Sequence, residues 1–213
     1  MSKHENISMS VIRRLPRYYR FLSDCIDKNI TKISSKELAE RMGLTASQIR
    51  QDLNCFGGFG QQGYGYSVEH LRDEIGSILG LQNNFKAILI GAGNLGNAVA
   101  SQISFNKLGF DLVGIFDSSK ALIGKKINNI EIAHIDSLEI FCKIHKPIMA
   151  ILCVPKISAK SITDKLYSIG IRSFWNFSHY DINLNYSEVT VENVHMSDSL
   201  MTLCYKINKN LNI

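Results

Sequence analysis

Three glycines follow an apolar run without a gap in the middle of this sequence, and they limit what the second half of the chain can fold into. Residues 85–90 are typical of a strand buried on both faces, and a helix must then begin at about Leu95. Gly91 allows a tight turn, Gly93 lets a pyrophosphate approach the backbone, and Gly96 lets the helix pack close to the strand. This spacing predicts a strand-turn-helix loop that holds a dinucleotide at a helix N-terminus. The candidate cofactor-binding residues of the loop are Gly91, Ala92, Gly93, Asn94, Leu95 and Gly96.

An aspartate after the next apolar segment favours one kind of dinucleotide. Residues 111–116 are typical of a second strand, and this strand leads into Asp117. A carboxylate at this position accepts hydrogen bonds from a ribose 2′-hydroxyl and repels a 2′-phosphate, which favours NAD(H). Two alternatives remain open: a glycine-rich turn with a surface aspartate, and another adenine nucleotide such as coenzyme A.

The residues after Asp117 predict the rest of a parallel sheet. Apolar segments at 148–154, 171–175 and 189–191 indicate strands, and segments 136–145 and 157–169 indicate helices. Ligands of open α/β sheets bind at the carboxyl ends of the strands, where Val154, Pro155 and Asn176 stand. Asn176 could equally cap a loop. We therefore predict a Rossmann-like parallel-sheet domain of the α/β class.

The first eighty residues have a different pattern. Apolar residues recur at helical spacing over residues 10–28, beside a basic flank of Arg13, Arg14, Arg17 and Arg20 that could be a solvated face. Ser34 and Glu37 match a capping box that opens a helix ending at Gly43, and Thr45 and Gln48 match a second one. Two short helices joined by a glycine-containing turn indicate a helix-turn-helix. The residues predicted to face DNA are Ser47, Gln48, Arg50, Gln51 and Asn54.

The segment after these helices predicts the wing of a winged helix. Residues 56–66 contain five glycines and four aromatic residues, which fits a hairpin with a glycine-rich tip. A flexible linker is the alternative, but linkers rarely contain regularly spaced aromatic residues. A further helix over residues 68–81 precedes the predicted domain boundary. The candidate DNA-binding residues of the wing are Gln61, Gln62, Gly63 and Tyr64.

The composition is that of an ordinary globular protein. The chain has 213 residues, of which 45% are hydrophobic and 20% charged, and no apolar run approaches the ~20 residues of a membrane span. A polar N-terminus argues against export, so we expect a cytoplasmic protein without a membrane partner. Five cysteines without CxxC spacing indicate buried free thiols, and we expect no metal. The net charge of +5 permits a nucleic-acid partner.

Six segments in this order are similar to those of one known family. They are residues 12–16, residues 34–39, residues 49–53, the wing with Phe59, Gly60, Gly63, Gly65 and Tyr66, the Gly91 loop, and Asn176 with Phe177. Over nearly its whole length the chain resembles the bacterial Rex redox-sensing transcriptional repressors. The resemblance implies a homodimer that binds operator DNA when NADH is scarce and releases it when NADH rises. It also implies that Arg50 and its neighbours contact the major groove and that the wing tip approaches the minor groove.

The chain departs from the family pattern at several positions. Gln51, Gln61 and Gln62 stand where the family usually has basic residues, which predicts weaker DNA binding or a different operator. A family tyrosine corresponds to Gln102, and a family aspartate that pairs with an arginine of the partner's first helix corresponds to His195. By the resemblance that arginine is Arg20. We therefore assign Arg20, Gln102 and His195 to the switch and the dimer.

The last helix is predicted from an apolar stripe. Its members are Leu200, Leu203, Cys204, Ile207 and Leu211. The resemblance implies a helix swapped between subunits, whereas the stripe itself fits packing within one chain equally well. The expected domains are a winged helix-turn-helix DNA-binding domain at residues 1–82, a Rossmann NAD(H)-binding domain at residues 83–194, and a dimerisation helix at residues 195–213.

Three functional classes are compatible with these features. The first is a ligand-gated repressor that is not an enzyme, and the second is a small NAD-binding dehydrogenase. After residue 85 only about 130 residues remain, too few for the substrate domain that such enzymes usually add. The histidines are scattered and match no catalytic arrangement. The third class is a Rex-like DNA-binding paralogue with a weak or absent redox response.

Overall fold

A computed structural model describes residues 7–57 and 65–211 of the chain. The chain divides into two compact units, Met1–Gln82 and Asn83–Ile213. The wing-tip candidates Gln61, Gln62, Gly63 and Tyr64 lie outside the described residues. No helix among the described residues has both the length and the apolar character to cross a bilayer.

The predicted single helix over residues 10–28 is wrong, because the structure has two helices there. Helix α1 spans Met9–Ile12 and helix α2 spans Leu15–Asp27. Pro16 lies in the first turn of α2. A proline has no amide hydrogen to donate and its ring clashes with the preceding turn, so it begins a helix more easily than it continues one. The sequence periodicity is the same on both sides of the break and does not reveal it.

Two capped helices form the helix-turn-helix. Helix α3 spans Ser35–Met42 and helix α4 spans Ala46–Asn54. Ser34 accepts a hydrogen bond from the amide of Glu37, and Glu37 reaches back to the amide of Ser34, so this capping box is confirmed. The second capping box is only half formed. Thr45 accepts a hydrogen bond from the amide of Gln48 at 3.1 Å, but the side chain of Gln48 turns towards Asp52.

A two-stranded antiparallel sheet and a helix complete the first unit. Strand β1 at Lys32–Ile33 pairs with strand β2 at Tyr66–Ser67, and helix α5 spans Val68–Ile78. Gly65 precedes β2 at a φ of +72°, and a Cβ on it would lie 2.8 Å from the carbonyl oxygen of Ile33. The described end of the predicted wing thus pairs with residues that precede the helix-turn-helix. The buried core of this unit includes Leu15, Tyr18, Leu22, Leu38, Ile49, Leu53, Leu71 and Ile75.

The second unit is built on a seven-stranded sheet. Its strands are β3 at Phe85–Ile90, β4 at Phe110–Asp117, β5 at Lys126–Ile127, β6 at Ile130–His134, β7 at Met149–Leu152, β8 at Ser173–Asn176 and β9 at Thr190–Asn193. Their order is β5-β6-β4-β3-β7-β8-β9. All neighbours are parallel except β5 and β6, and without β5 this is the strand order of a doubly wound dinucleotide-binding fold.

Strands β5 and β6 were not predicted from the sequence. They form a hairpin in which Ile127 pairs with Ile130, so the loop between them is Asn128 and Asn129. Both asparagines have positive φ, at 46° and 68°. Two consecutive residues of this kind form the tight turn that matches the twist of antiparallel strands. The Asn-Asn pair was the available signal for this hairpin.

The remaining helices lie close to their predicted positions. Helix α6 spans Asn94–Gln102, α7 spans Leu138–His145, α8 spans Lys156–Ser168 and α9 spans Met196–Leu211. Short 3-10 turns at Phe105–Leu108, Ile135–Ser137 and Ile182–Leu184 complete the connections. No residue of α9 is buried in the single chain.

The cysteines are free, as expected, but not all are buried. Cys25 and Cys142 are buried and Cys153 is half-buried. Cys55 and Cys204 are exposed, and for these two the expectation of buried thiols is wrong. Cys55 is the C-cap residue of α4, and Cys204 lies on α9, which has no buried residue, so an apolar sequence neighbourhood did not imply burial.

Candidate functional site

The glycine loop lies at the carboxyl end of the central strand of the sheet. Gly91 follows β3, and its amide donates to the carbonyl of Phe116 on β4 at 2.8 Å. Its φ is +95°, and a Cβ would lie 2.5 Å from the carbonyl oxygen of Cys153 beyond β7. The strands on either side of β3 therefore leave room at position 91 for the backbone of a turn but not for a side chain. This is the tight turn that the sequence predicts at this position.

The other two glycines face different surroundings. A Cβ on Gly96 would lie 1.7 Å from the carbonyl oxygen of Gly91, so α6 packs directly on the loop. A Cβ on Gly93 would have no atom within 4 Å. Protein packing therefore requires glycine at position 96 but not at position 93. Open space in front of Gly93 fits a ligand that approaches the backbone there.

The N-terminus of α6 has no side-chain cap. Gly93 is its N-cap residue, and no side chain accepts a hydrogen bond from its first amides. Helices α3 and α4 differ, because Ser34 and Thr45 cap them. Amides at a helix N-terminus that lack a partner, together with the positive end of the helix dipole, bind anions. The first turn of α6 therefore suits a phosphate group.

Asp117 connects the end of β4 to the glycine loop. Its Oδ2 accepts a hydrogen bond from the amide of Ala92 at 2.6 Å, and its Oδ1 accepts one from the amide of Ser119 at 2.7 Å. An ionised carboxylate has about four acceptor sites, so both oxygens retain capacity for a further donor such as a ribose hydroxyl. The same contacts fix the carboxylate beside the loop, where its charge disfavours a phosphate on the ribose.

A cavity of about 390 Å³ joins the loop to the neighbouring strand ends. Its lining residues are Ile90, Gly91, Gly93, Asp117, Ser118, Ile135, Cys153, Val154, Pro155, Ser158 and Ile162. Five of the residues predicted from the sequence are among them. Ala92, Asn94, Leu95 and Gly96 belong to the loop and to α6 but do not line the cavity.

Part of the cavity wall was missed by the sequence reasoning. Ser158 and Ile162 lie four residues apart on α8 and therefore on one face of that helix. Ile135 reaches the cavity from the turn after β6, a strand that was not predicted. Burial raises the pKa of the Cys153 thiol to about 12, so at neutral pH it contributes an uncharged surface.

Asn176 caps a loop, which is the alternative that the sequence left open. Its side chain is buried and donates to the carbonyl of Tyr180 at 2.8 Å and to Oδ1 of Asn193 at 2.7 Å. Its Oδ1 accepts hydrogen bonds from the amide and the hydroxyl of Ser178. These bonds occupy both ends of the amide group, and Asn176 does not line the cavity. It fixes the loop between β8 and β9.

Most of the predicted DNA-facing residues of α4 are exposed. Ser47, Arg50, Gln51 and Asn54 are open to solvent, whereas Gln48 is half-buried. Arg50 donates a hydrogen bond to the hydroxyl of Ser35 at 3.2 Å. In a helix-turn-helix the N-terminal part of the second helix contacts base edges. The exposed face of α4 presents hydroxyl, amide and guanidinium groups suited to such contacts.

A buried carboxylate behind α4 was not predicted. Asp52 is 1% exposed and accepts hydrogen bonds from Nε of Arg14 at 2.6 Å, from Nη2 of Arg14 at 2.7 Å and from the hydroxyl of Tyr18 at 2.6 Å. Gln48 donates to it from Nε2 at 2.8 Å. Arg14 is therefore not part of a solvated basic flank. It anchors the start of α2 to α4.

These contacts set the ionisation of the group. Burial by itself raises the pKa of Asp52, but the hydrogen bonds from Arg14, Tyr18 and Gln48 stabilise the carboxylate more strongly. The pKa of Asp52 consequently lies below its ordinary value. Burial and the hydrogen bond to Asp52 raise the pKa of Tyr18, which stays protonated as a donor.

The three residues assigned to the switch lie in different units. Arg20 is exposed on α2 in the first unit, and Gln102 is exposed at the end of α6 in the second. His195 is half-buried just before α9, and its ring lies 4.7 Å from that of His179 in an edge-on contact. The pairing of position 195 with Arg20 stays a prediction about two subunits.

Two family models match the chain, one in each part. Residues 6–54 match the model described as "Putative DNA-binding protein N-terminus". Residues 82–180 match the model described as "CoA binding domain". The first match contains the helix-turn-helix and Asp52, and the second contains the glycine loop, Asp117 and the cavity.

Similar proteins and structures cover nearly the whole chain. The Redox-sensing transcriptional repressor Rex of Clostridium novyi (strain NT) is 51% identical over 208 residues, which are 98% of this chain and 99% of that protein. The Rex of Thermoanaerobacter pseudethanolicus (strain ATCC 33223 / 39E) is 51% identical over 209 residues, 98% of this chain and 93% of that protein.

Two crystal structures of RSP have the same fold. The complex of RSP with β-NAD+ and operator DNA matches with a TM-score of 0.88 and 50% identity, over 96% of this chain and 94% of that one. The complex of RSP with β-NADH matches with a TM-score of 0.87 and 47% identity, over 96% and 95%. Identity near one half over almost the full length, in a chain with both the helix-turn-helix and the glycine loop, shows that it belongs to the Rex family of redox-sensing transcriptional repressors.

Proposed function

We propose that this protein represses transcription by binding operator DNA and leaves the operator in response to the NADH/NAD+ ratio. One observation carries the proposal: the same chain contains two sites. The first is a recognition helix with exposed polar residues, and the second is a glycine-lined cavity beside a helix N-terminus that has no side-chain cap. Rex relatives of about 50% identity share this length and order. The Rex relatives are named redox-sensing transcriptional repressors, and the proposed role is that of a regulator and not of an enzyme.

The cavity residues fit NAD(H). Gly93 leaves open space where a pyrophosphate would approach, and the first amides of α6 have no side-chain cap. Asp117 offers acceptors to ribose hydroxyls and disfavours a 2′-phosphate. The relative RSP has been crystallised with both β-NAD+ and β-NADH. These observations favour NAD(H) over coenzyme A as the ligand of the site.

Double-stranded operator DNA is the proposed macromolecular partner. The exposed residues Ser47, Arg50, Gln51 and Asn54 of α4 supply groups for bases and phosphates, and RSP has been crystallised with operator DNA. For the wing tip, residues 61–64, the proposal rests on the family resemblance. Because Gln51, Gln61 and Gln62 are uncharged, fewer phosphates are neutralised and the salt dependence of binding is expected to be shallow.

We infer that the protein is a homodimer. Helix α9 exposes Leu200 by 67%, Leu203 by 50% and Ile207 by 46%, so its apolar stripe is uncovered in the single chain. A second uncovered apolar surface is the cavity of about 490 Å³ at the amino edge of the sheet, where Phe85, Ile103 and Trp175 meet. A second copy of the chain covers such surfaces without a further partner. Helix exchange between subunits is one arrangement that achieves this.

The division of the chain into two compact units supports separate domains for DNA binding and for nucleotide binding. Residues 1–82 bind DNA, residues 83–194 bind the nucleotide and residues 195–213 contribute to the dimer. We place the protein in the cytoplasm, where operator DNA and NADH occur together. Among the described residues no His, Cys, Asp and Glu side chains cluster in a way that would hold a metal ion. The proposed function needs none.

The redox response follows from a shift between two arrangements of the dimer. The loop at Gly91 must bind NADH more tightly in the arrangement that does not fit DNA, and the ratio of the two affinities limits the response. Equal affinities give no release. Asp117 and the amides of α6 hold the nucleotide, while position 195 and Arg20 are the proposed link to the partner subunit.

A Rex-like paralogue with a weak redox response is the second candidate. It is favoured by His195, which is in ring contact with His179 of its own chain and offers no carboxylate to pair with Arg20. Titration of labelled palindromic DNA with the protein, at fixed salt and with NADH or NAD+, separates the candidates. Release by NADH supports the redox sensor. Tight NADH binding without release supports the paralogue, and absence of DNA binding contradicts both.

A further inference from the structure

We propose that Gln48 recognises an adenine in the operator and that Asp52 selects adenine over guanine by preventing the Gln48 amide from turning over. This inference rests on the proposed DNA-binding function. It assigns a base to one residue of α4 and a positioning role to Asp52, which is buried against Arg14 and Tyr18.

The position of Gln48 in the fold places it near base edges. It is the third residue of α4, and its own amide is held by Thr45 at the helix cap. The first residues of a recognition helix are those that enter the major groove. A glutamine or glutamate at this position would normally complete the capping box by reaching back to the cap residue. Gln48 instead extends along the helix to Asp52, one turn further on.

The contact with Asp52 determines which way the amide faces. An ionised carboxylate only accepts hydrogen bonds, so the end of the Gln48 amide at 2.8 Å from it must be the nitrogen. The charge on Asp52 is secured by Arg14 and Tyr18, which both donate to it. The carboxylate of Asp52 therefore fixes the orientation of the Gln48 amide, with Nε2 towards Asp52 and Oε1 away from it.

The remaining hydrogen-bonding groups of Gln48 match adenine. Its nitrogen carries two hydrogens, of which one goes to Asp52 and one remains for a further acceptor. In the part of the chain that the structure describes, Oε1 has no hydrogen-bond partner. An acceptor beside a donor is the pattern that pairs with the N6 donor and the N7 acceptor of adenine.

The same orientation excludes guanine. Guanine presents O6 and N7, which are both acceptors, so Oε1 of Gln48 would face O6 without a hydrogen between them. A glutamine that turns freely escapes this conflict by exchanging its oxygen and nitrogen. Gln48 cannot do so without placing its oxygen against the carboxylate of Asp52. Good bidentate contacts of this kind distinguish bases by about tenfold or more.

The test determines the base preference at every operator position. A library of randomised duplexes is sequenced after binding to the wild-type protein, to Gln48→Met and to Asp52→Asn. Gln48→Met keeps the length of the side chain without hydrogen-bonding groups and leaves Arg14, Tyr18 and Asp52 in contact. Glu74→Met is the control, because Glu74 is exposed on α5 of the same unit and lies outside the recognition helix.

The expected result is specific to one position in each half-site. The wild-type protein prefers adenine over guanine there by about tenfold, and Gln48→Met loses this preference while the other positions keep theirs. Asp52→Asn lowers the adenine-to-guanine ratio at the same position towards one, because an asparagine can donate to a turned amide. Glu74→Met leaves that ratio unchanged.

Three outcomes separate the inference from the function on which it rests. If the wild-type protein selects no sequence, the proposed DNA-binding function fails. If it selects a sequence and Gln48→Met leaves the base profile unchanged, the inference is wrong although the function stands. If Asp52→Asn weakens binding to every duplex equally, the positioning role of Asp52 is wrong. Gln48→Met decides the assignment even where Asp52→Asn does not fold.

Discussion

Arg14 donates hydrogen bonds to both carboxylate oxygens of Asp52, from Nε at 2.6 Å and from Nη2 at 2.7 Å, across 38 positions of the chain. The guanidinium is 30% exposed and the carboxylate 1%. The pair joins the start of α2 to the recognition helix α4, so it supports both the fold of the first unit and the surface that we propose for DNA.

Removal of the arginine should destabilise the first unit strongly. Arg14→Ala leaves a buried carboxylate without its cation, and loss of one partner of a buried pair costs about 3 kcal/mol or more. We expect the free energy of unfolding, measured by denaturant at fixed protein concentration, to fall by about this amount. Arg13→Ala is the control, because Arg13 is exposed. A loss as small as the roughly 0.5 kcal/mol of an ordinary surface substitution would contradict the role of Arg14.

Ionisation of Asp52 should make the free energy of unfolding depend on pH in the acid range. The pKa of Asp52 in the folded chain lies below its ordinary value of 3.8. The ionised carboxylate therefore makes its full contribution to the free energy of unfolding above pH 3.8, and this contribution is lost as the pH falls through the lowered pKa. We expect the difference in unfolding free energy between the wild-type protein and Asp52→Asn to be constant near neutral pH and to narrow below pH 3.8. A difference that is independent of pH to the acid limit would refute this linkage.

Two glycines of the nucleotide loop should respond differently to alanine. A Cβ on Gly93 meets no protein atom within 4 Å, so Gly93→Ala should change the unfolding free energy by less than about 0.5 kcal/mol. If a pyrophosphate approaches this backbone, NADH affinity should nevertheless fall by about tenfold or more. Fluorescence titration with NADH measures it.

Gly96→Ala is the comparison for that experiment. Its Cβ would lie 1.7 Å from the carbonyl oxygen of Gly91, so both stability and NADH affinity should fall. Should Gly93→Ala bind NADH as tightly as the wild-type protein, the ligand does not pass over Gly93.

Asp117 should control the preference for NADH over NADPH. Asp117→Asn removes the charge that repels a 2′-phosphate and weakens the acceptors for the ribose, so NADH affinity should fall by about tenfold. NADPH affinity should stay the same or rise, and parallel titrations measure the ratio. Asp111→Asn is the matched control on the same strand, near its other end. An unchanged ratio for Asp117→Asn would exclude contact of Asp117 with the ribose.

A carboxylate at position 195 should strengthen the redox response. In His195→Asp the new charge can pair with Arg20 of a second subunit, as the family resemblance implies, and an exposed pair is worth up to about 1 kcal/mol. The effect of NADH on operator affinity should therefore rise about two- to fivefold at low salt. Arg20→Ala in the His195→Asp background should abolish the gain. An equal NADH effect with and without the substitution would count against the pairing.

Features that depend on neighbouring residues could be predicted from the sequence. The capping box of Ser34 and Glu37 involves positions three apart, and the glycine spacing of the loop reflects local sterics at Gly91 and Gly96. The parallel strands β3, β4, β7, β8 and β9 were expected from apolar runs, whereas β5 and β6 were not. The capping box and the glycine loop needed only the immediate surroundings of each residue, and the sheet needed only the order of the apolar runs.

Only the tertiary structure determined the partners that come from distant positions. The sequence placed Arg14 on a basic flank and Gln48 in a second capping box, yet both side chains contact Asp52. The sequence left two roles open for Asn176, ligand contact and loop capping, and the hydrogen bond to Asn193 shows that it caps the loop. Hydrogen-bonding groups take whichever partner the fold buries beside them, and burial makes an unsatisfied group costly. The sequence by itself therefore determined the elements and their order, while long-range packing decided which polar side chains stay free to bind a ligand.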